Sequence, residues 1–527
     1  MDTHAIVGNL SMKTISIFND VLGPVMRGPS SSHTAASFHI GALARALLGD
    51  EPVAAAFTFD PGGSFAQVYA QQGSDLAFAA GLMGWTITDE RFLQALELAA
   101  AQGLQVTFQV ERLPHADHPN SVEVGLTSRS GRELHAVAKS IGGGAIVFTE
   151  LDSWPVRLTG DAHELLIVVD QSSASRVLAR ISQDEELLAP PTQTGQGGQV
   201  LLHVRRLSPL DPQDRAMLET LPGVQRTWTA PPVFCVQRGV PLFSSTAEVI
   251  ALAEERGCSL GQMALAYESV LLGMSEPQVL AEMQRRFEVM QAAAHRGLGT
   301  DLLPMQTLRP SARQVYEAES KGRVAIGGMH TRAAARAMAV MHVNGGHGVV
   351  CAAPTAGAAG TLPGVIVTLA EEKGLSPSQT ALALFAAGAV GLVLAIRATF
   401  AAEIAGCQVE IGAAGAMAAA AVVEAVGGSA REAADAAAIA FQNTMGSICD
   451  PVQGIVEIPC HTRNAAAAAS AFVCADLILG GYANPIPLDE TIDAVYAVGK
   501  MLPRELKCTA LGGLSVTPAA LSLPRLR

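Results

Sequence analysis

Charge, lysine and closely spaced cysteine are all scarce in this 527-residue chain. Only 16% of the residues are charged against 49% hydrophobic, with 51 glycines, a balance too apolar for a disordered chain. The net charge of −13 leaves no basis for binding nucleic acid or an anionic membrane, and neither is expected as a partner. The most apolar run, residues 381–396, stops at Arg397 short of the ~20 residues of a bilayer span, so it reads as a buried helix in a bundle. Met1-Asp2-Thr3-His4-Ala5 lacks the basic flank and apolar run of a signal peptide. No Cys-x-x-Cys pair occurs, and the eight cysteines are too dispersed for a disulfide framework; free thiols and a cytoplasmic location are expected. The six lysines (13, 139, 321, 373, 500 and 507) include none in a Schiff-base context. Lys139, ahead of Gly142-Gly143-Gly144, comes nearest, and pyridoxal phosphate is not expected.

What is present divides into three stretches, within the two to four domains expected at this length. Residues 1–155 predict an α+β domain. Segments 54–60 and 104–110 alternate as strands do, 34–48 reads as an apolar helix, and Gly142-Gly143-Gly144 predicts a tight bend before the strand at Ala145-Ile146-Val147-Phe148. Residues 156–240 predict a small ferredoxin-like α+β unit, with strands at 164–170, 199–204 and 224–229 and helices at 172–181 and 211–221. Residues 241–527 predict an all-helical domain. Helices fall at 246–256, 259–273, 276–296 and 332–343, with hydroxyl caps at Ser244, Ser245 and Ser259. Alanine-rich helices broken by glycine follow, suited to a close-packed bundle.

Cys407, Cys449 and Cys460 each sit beside Gly, Pro or Asp, where a turning chain presents a thiolate. Three thiolates leave one metal position open, which distinguishes a Lewis-acid centre from a closed structural one. Taken singly, each is equally an ordinary buried thiol, and zinc suits three thiolates as well as an iron–sulfur cluster does. Cys474, inside an apolar helix, reads as packing. Cys351 falls near the site without a ligand role, and Cys235, Cys258 and Cys508 are expected to ligate nothing.

Ser30-Ser31-Ser32-His33-Thr34, after Gly28-Pro29, is too polar to fill a core. His33 is a candidate general base, because its ordinary pKa lies near neutrality. Ser32 or Thr34 equally suits the cap of the next helix, whose free N–H groups would draw a carboxylate. His118-Pro119-Asn120 is either a stiff loop over a substrate or a surface turn. The loop from Thr355 through Gly357 to Gly360 offers backbone donors to an anion, or packs glycine between helices. Arg463 and Asn464, just past Cys460, are expected to face a site, since an unpaired buried guanidinium is costly.

These segments resemble the iron–sulfur-dependent L-serine dehydratases (L-serine ammonia-lyases). The resemblance is carried, in the family's order along nearly the whole chain, by Gly28–Thr34, Gly63-Ser64-Phe65-Ala66, His118-Pro119-Asn120, Gly142-Gly143-Gly144, Ala352–Gly357, the three cysteine contexts and Leu511-Gly512-Gly513-Leu514. It implies a β-type domain fused to an α-type domain, and a [4Fe–4S] cluster on Cys407, Cys449 and Cys460. It implies an oxygen-sensitive lyase of amino-acid catabolism that turns L-serine into pyruvate and ammonium, with His33 as base. Ser30, Ser31, Ser32, Thr34, His118, Asn120, Thr355, Gly357, Arg463 and Asn464 would bind the substrate. Some family members carry an ACT-like regulatory module where residues 156–240 stand, and a plain spacer is the other reading. A homodimer is the expected assembly. Two departures leave the substrate open between serine and threonine or cysteine. Many relatives read Gly-His-Gly-Thr-Asp where this chain has Gln71-Gln72-Gly73-Ser74-Asp75, and Ala356, Ala358 and Ala359 stand in a loop that is often more polar. A non-catalytic iron–sulfur sensor is the reading from a different class.

Overall fold

The computed structural model describes residues 14–526 except residue 115, so Met1–Ala5 and Lys13 lie outside the described residues. Strand β1 (Val25–Arg27) stands apart from the main N-terminal sheet. That sheet has six strands: β2 (Pro52–Phe59), β3 (Gln105–Val110), β4 (Ser121–Ser128), β5 (Glu133–Gly142), β6 (Ala145–Leu151) and β7 (Trp154–Leu158). Their order is β3-β2-β4-β5-β6-β7, antiparallel except for the parallel β2–β3 pair. The period-2 burial of β4 and β5 puts one face against helices Ala36–Leu48 and Ser74–Leu82, with Phe57, Phe59, Phe65 and Phe78 fully buried between. The expected glycine bend joins β5 to β6: Gly142, Gly143 and Gly144 have φ of 99°, 65° and 95°, a region open to glycine at no steric cost.

The middle stretch holds β8 (His163–Asp170), β9 (Thr192–Gln196), β10 (Gln199–Arg206) and β11 (Val224–Ala230) in the antiparallel order β11-β8-β10-β9. Helices Ala174–Ile181 and Pro212–Glu219 lie between β8 and β9 and between β10 and β11. Its own small core contains Leu165, Ile167, Val169, Val177, Val200 and Leu202.

From Thr246 onward the chain is almost wholly helical. Ser259, Ser376 and Ser429 open helices with reciprocal capping boxes to Gln262, Gln379 and Glu432, which satisfies the free N–H groups of the first turns. Small residues set the helix spacing: a Cβ on Gly364 would lie 2.6 Å from the carbonyl oxygen of Ala333. The apolar run at 381–396 is part of a longer helix than the sequence suggests. Helix Pro377–Arg397 has 21 residues and is long and apolar enough to cross a membrane, as is the stretch 407–425. Of their most apolar windows 83% and 89% are buried inside the fold, so both are core helices by burial rather than by length.

The N-terminal segment is embedded in this bundle. Ile15, Ile17, Phe18, Val21 and Leu22 are buried in the helical core. The buried carboxylate of Glu268 accepts hydrogen bonds from Ser16 Oγ and from the N–H groups of Ile17 and Phe18. Arg286 donates to the carbonyl oxygens of Phe18 and Leu22 and covers the Phe18 ring at 4.4 Å. Next, β1 pairs antiparallel with β12 (Val349–Cys351), a strand the sequence did not signal, and Asn344 Nδ2 donates to Pro29 O at 3.0 Å. Gly28 lies so close to Asn344 that a Cβ would sit 2.2 Å from its carbonyl oxygen. Gly28→Ala should therefore force the segment off the bundle and cost about 1–3 kcal/mol of stability, read by chemical denaturation. Unchanged stability would mean that this contact does not fix the segment.

Candidate metal centre and active site

Cys407 opens the short turn Cys407–Val409 after Gly406, whose φ of 79° and close approach to Ser447 O leave no room for a side chain. Cys449 is held by a two-residue bridge to the C-terminal segment: its N–H donates to Leu506 O, and the N–H of Cys508 donates to Cys449 O, both at 2.9 Å. Cys460 is the first residue of helix Cys460–Leu479, where the helix dipole favours a thiolate. The Sγ atoms of Cys407 and Cys449 and a carboxylate oxygen of Glu410 lie within 4.8 Å of one another, a set able to hold a metal. The Cys407 thiol is held well above the usual thiol range by its hydrogen bond to Cys449 and by burial. That of Cys460 is raised by burial and then by the charges of Cys407 and Glu410. Burial, reinforced by Glu403, pushes Glu410 up to about 8. These acids stay protonated without a cation, and a metal would bind them deprotonated; the donor set fits such a centre.

The polar surroundings tie these cysteines in place. Arg463 pairs with Asp450 at 2.9 Å, donates to Ile448 O, and sets a fixed positive charge near Cys407 and Cys460. Asp450 also accepts from the N–H of Leu514, which gives the Leu511–Leu514 segment its role: it fastens the C-terminus beside Cys449. Asn464 is fully used as a brace. Its Oδ1 accepts from Gly360 N, Thr361 N and Thr361 Oγ1, and its Nδ2 donates to Gly357 O and Cys460 O. Thr355 caps the turn Ala356–Ala358 and hydrogen-bonds Glu410, and Gly357 faces the same carboxylate.

The Ser30–Thr34 segment forms a tight helical turn, Ser31–Ala35, with Ser30 as its cap, against this region. Thr34 donates to Gln72 O, and Ser31 Oγ accepts from Ala356 N, so these two hydroxyls brace the turn. Ser32 Oγ donates to Glu403 Oε1 at 2.8 Å and lies 3.0 Å from His33 Nδ1. Since the one hydroxyl hydrogen of Ser32 goes to Glu403, its oxygen accepts from His33, which places the imidazole proton on Nδ1. The lone pair of His33 is then on Nε2, 3.1 Å from Ser64 Oγ. Burial lowers the His33 pKa to about 4, against the opposing charge of Glu403, so the imidazole is neutral at neutral pH. Asn120 Nδ2 donates to Glu403 Oε1 at 3.3 Å, and His118 accepts the Asn120 N–H on Nδ1. His118, lowered by burial, also feels Glu403 and Lys139, and Lys139 pairs with Asp117 at 2.5 Å beside it.

The structure thus brings Cys407 and Cys449 to Glu410, leaves Cys460 outside that close group but near enough to feel its charge, and sets the His33 turn, the His118–Asn120 loop and the Thr355 loop around Glu403 and Glu410. Sequence reading left out Glu403, Glu410 and Ser64, although Glu410 stands three residues after Cys407 and Ser64 lies within a motif already singled out. Cys508, expected to ligate nothing, lies against the group, its thiol hydrogen-bonded to that of Cys449. Cys351 lies in β12, where its Sγ donates to the adjacent Ala352 O, and Cys474 is buried within its helix beside Ser470.

An α+β part laid against a helical part, with thiols and a carboxylate able to hold a metal at their seam, defines an enzyme of two fused pieces. Residues 252–515 match the family described as serine dehydratase alpha chain. The chain is similar to the probable L-serine dehydratase, alpha chain, of Bacillus subtilis (strain 168), with 35% identity over 284 residues, 54% of this chain and 95% of that one. It is similar to the L-serine dehydratase, alpha chain, of Peptoniphilus asaccharolyticus, with 34% identity over 275 residues, 52% of this chain and 94% of that one. It is also similar to the probable L-serine dehydratase, beta chain, of Bacillus subtilis (strain 168), with 40% identity over 176 residues, 32% of this chain and 78% of that one. The chain belongs to the serine dehydratase family and joins an alpha-type part to a beta-type part.

Replacing Cys407, Cys449 or Cys460 by alanine should strip the bound metal, whereas Cys474→Ala should keep it, as measured by metal per chain after anaerobic reconstitution. Full metal content in Cys449→Ala would overturn this ligand set.

Proposed function

We propose that the chain is an L-serine ammonia-lyase that converts L-serine to pyruvate and ammonium with a [4Fe–4S] cluster on Cys407, Cys449 and Cys460. The observation that carries this reading is the Ser32–Glu403 hydrogen bond, which sets the His33 turn against the cysteine segment of a chain from this family. When bound, the cluster supplies a Lewis acid at its cysteine-free iron that weakens the Cβ–O bond of serine. Zinc suits the thiols equally, and family membership favours iron–sulfur.

The residues of the chain do the rest. His33, neutral and with its lone pair on Nε2, takes the Cα proton, directly or through Ser64, whose hydroxyl is 3.1 Å from that nitrogen. Protonation of the imidazole is favoured by Glu403 through Ser32, an Nδ1–hydroxyl–carboxylate chain that holds the ring in one tautomer. The Thr355–Gly357 turn and the Ser30–Thr34 turn offer donors for the substrate carboxylate, and His118 with Asn120 covers the site from the β-type side. Loss of the proton and of hydroxide leaves aminoacrylate, which tautomerises and hydrolyses after release.

We infer that the middle unit is ferredoxin-like and ACT-like. The strand order β11-β8-β10-β9, with one helix between the first and second strands and one between the third and fourth, supports this. The domains then run 1–155, 156–240 and 241–527. A cytoplasmic homodimer is proposed with them, consistent with eight unpaired cysteines.

Anaerobically reconstituted protein should form pyruvate from L-serine, lose activity in air and regain it with ferrous iron and thiol. Indifference to oxygen, or the absence of pyruvate, would refute the cluster lyase. In a side-by-side measurement of kcat/KM, serine should exceed threonine and cysteine; a preference for either by more than about tenfold, ~1.4 kcal/mol of transition-state binding, would overturn the assignment. His33→Ala should lower kcat by about 10²–10⁴ and leave the cluster absorbance intact. Loss of the cluster in that variant would make His33 structural.

A further inference from the structure

The hydroxyl, the carboxylate and the Cα proton of an amino-acid substrate all have candidate partners in this site, and its α-ammonium group needs an acceptor of its own. Two acceptors at the seam meet that need. Glu403 is only partly buried, and its Oε1 takes both hydrogen bonds that reach it, from Ser32 and Asn120. Among the described residues no arginine or lysine forms an ion pair with it. Asn120 is 1% exposed, and because its Nδ2 donates to Glu403 the orientation of its amide is fixed. Its Oδ1 is left buried without a hydrogen-bond partner, an acceptor next to a carboxylate.

We propose that Glu403 and the amide oxygen of Asn120 form the subsite for the α-ammonium group of the substrate. An ammonium ion brings three donors and a positive charge, which match one orphaned amide oxygen and a carboxylate that lacks a cation. Glu403 faces the middle of the site, since its charge is felt by His33, His118 and Glu410 alike. Ser32 links Glu403 to Nδ1 of His33, so the ammonium subsite adjoins the residue that acts as base, whose free lone pair is on Nε2. The subsite would select α-amino acids over their α-hydroxy counterparts, which carry no cation.

This inference rests on the amino-acid lyase reading, and the test separates the two. L-Alanine and L-lactate share a carboxylate, differ in ammonium against hydroxyl, and have no Cβ leaving group. Their binding to the cluster-loaded protein is measured by calorimetry, alongside iron–sulfur absorbance. The wild type should bind L-alanine at least about tenfold more tightly than L-lactate. Glu403→Gln keeps an acceptor for Ser32 and Asn120 and should remove most of that preference, with L-alanine weakened and L-lactate unchanged. Asn120→Leu should weaken L-alanine selectively as a second, independent variant. Undiminished L-alanine affinity in both variants would overturn the proposal, as would an equal fall for both ligands, which would make the pair scaffolding. Intact discrimination in a protein that forms no pyruvate would refute the lyase and leave the subsite standing.

Discussion

The hydrogen bond from Ser32 Oγ to Glu403 Oε1 joins residues 371 positions apart, and the candidate site exists only where those two segments meet. One hydrogen bond to a charged group is worth about 1.5–3 kcal/mol and cannot itself dock a domain. The docking comes from groups set farther back. Glu268 receives three donors from residues 16–18, Arg286 holds two carbonyls of the same segment, and β1 completes a two-stranded sheet with β12. Together these fix the chain from residue 16 to residue 27, so the Ser30–Thr34 turn has little freedom left to lose when it meets Glu403. The α+β part is in this sense hung from the helical bundle by its first twenty described residues, and its large sheet stands outside that attachment.

The same seam concentrates acids that a folded protein would ordinarily keep apart. Cys407, Cys449 and Glu410 lie within 4.8 Å of one another, Cys460 and Glu403 are close enough for charge to be felt, and Arg463, itself shared with Asp450, is a nearby fixed cation. Burial drives the thiols and Glu410 towards their neutral forms, which removes the repulsion but also removes the ligands a metal needs. A cation reverses both at once, so metal binding and local order are coupled there. The coupling extends to the end of the chain, because Cys449 is bridged to residues 506–508 and Asp450 holds Leu514.

Local patterns made much of this legible. Serine caps and left-handed glycines bounded the helices of the C-terminal half closely, and the triple glycine announced its bend, since both signals act within one turn of chain. The cysteines, His33 and Asn120 stood out because thiols, imidazoles and amides beside proline or glycine are unusual in a core. Glu403 and Ser64 were not legible: a glutamate in an alanine-rich helix turn and a serine at a helix start look ordinary until the fold brings residues 32 and 120 beside the first and residue 33 beside the second. Strands β1 and β12 were missed for a related reason. Three residues each, they pair only across the seam, and nothing within either segment alternates long enough to signal a strand. Asn464 and Thr34 look like substrate ligands by sequence, yet every polar group of their side chains is engaged in bracing.

The departure at Gln72 can be weighed on the same grounds. The resemblance implies a histidine at this position, which raises the question whether a substrate contact is missing here. Gln72 is 2% exposed; its Nε2 donates to Gly454 O and its own carbonyl oxygen accepts from Thr34 Oγ1. It therefore connects the turn that carries His33 to the turn between Cys449 and Cys460, and an amide or an imidazole N–H can each supply the donor that this link requires. Ser74, two residues on, donates to the carbonyl oxygen of His33 and does similar work. The position sets the distance between the His33 turn and the segment between Cys449 and Cys460. Selectivity must then come from groups whose polar atoms remain uncommitted within the site, and the fully used side chains of Thr34 and Asn464 are not among them.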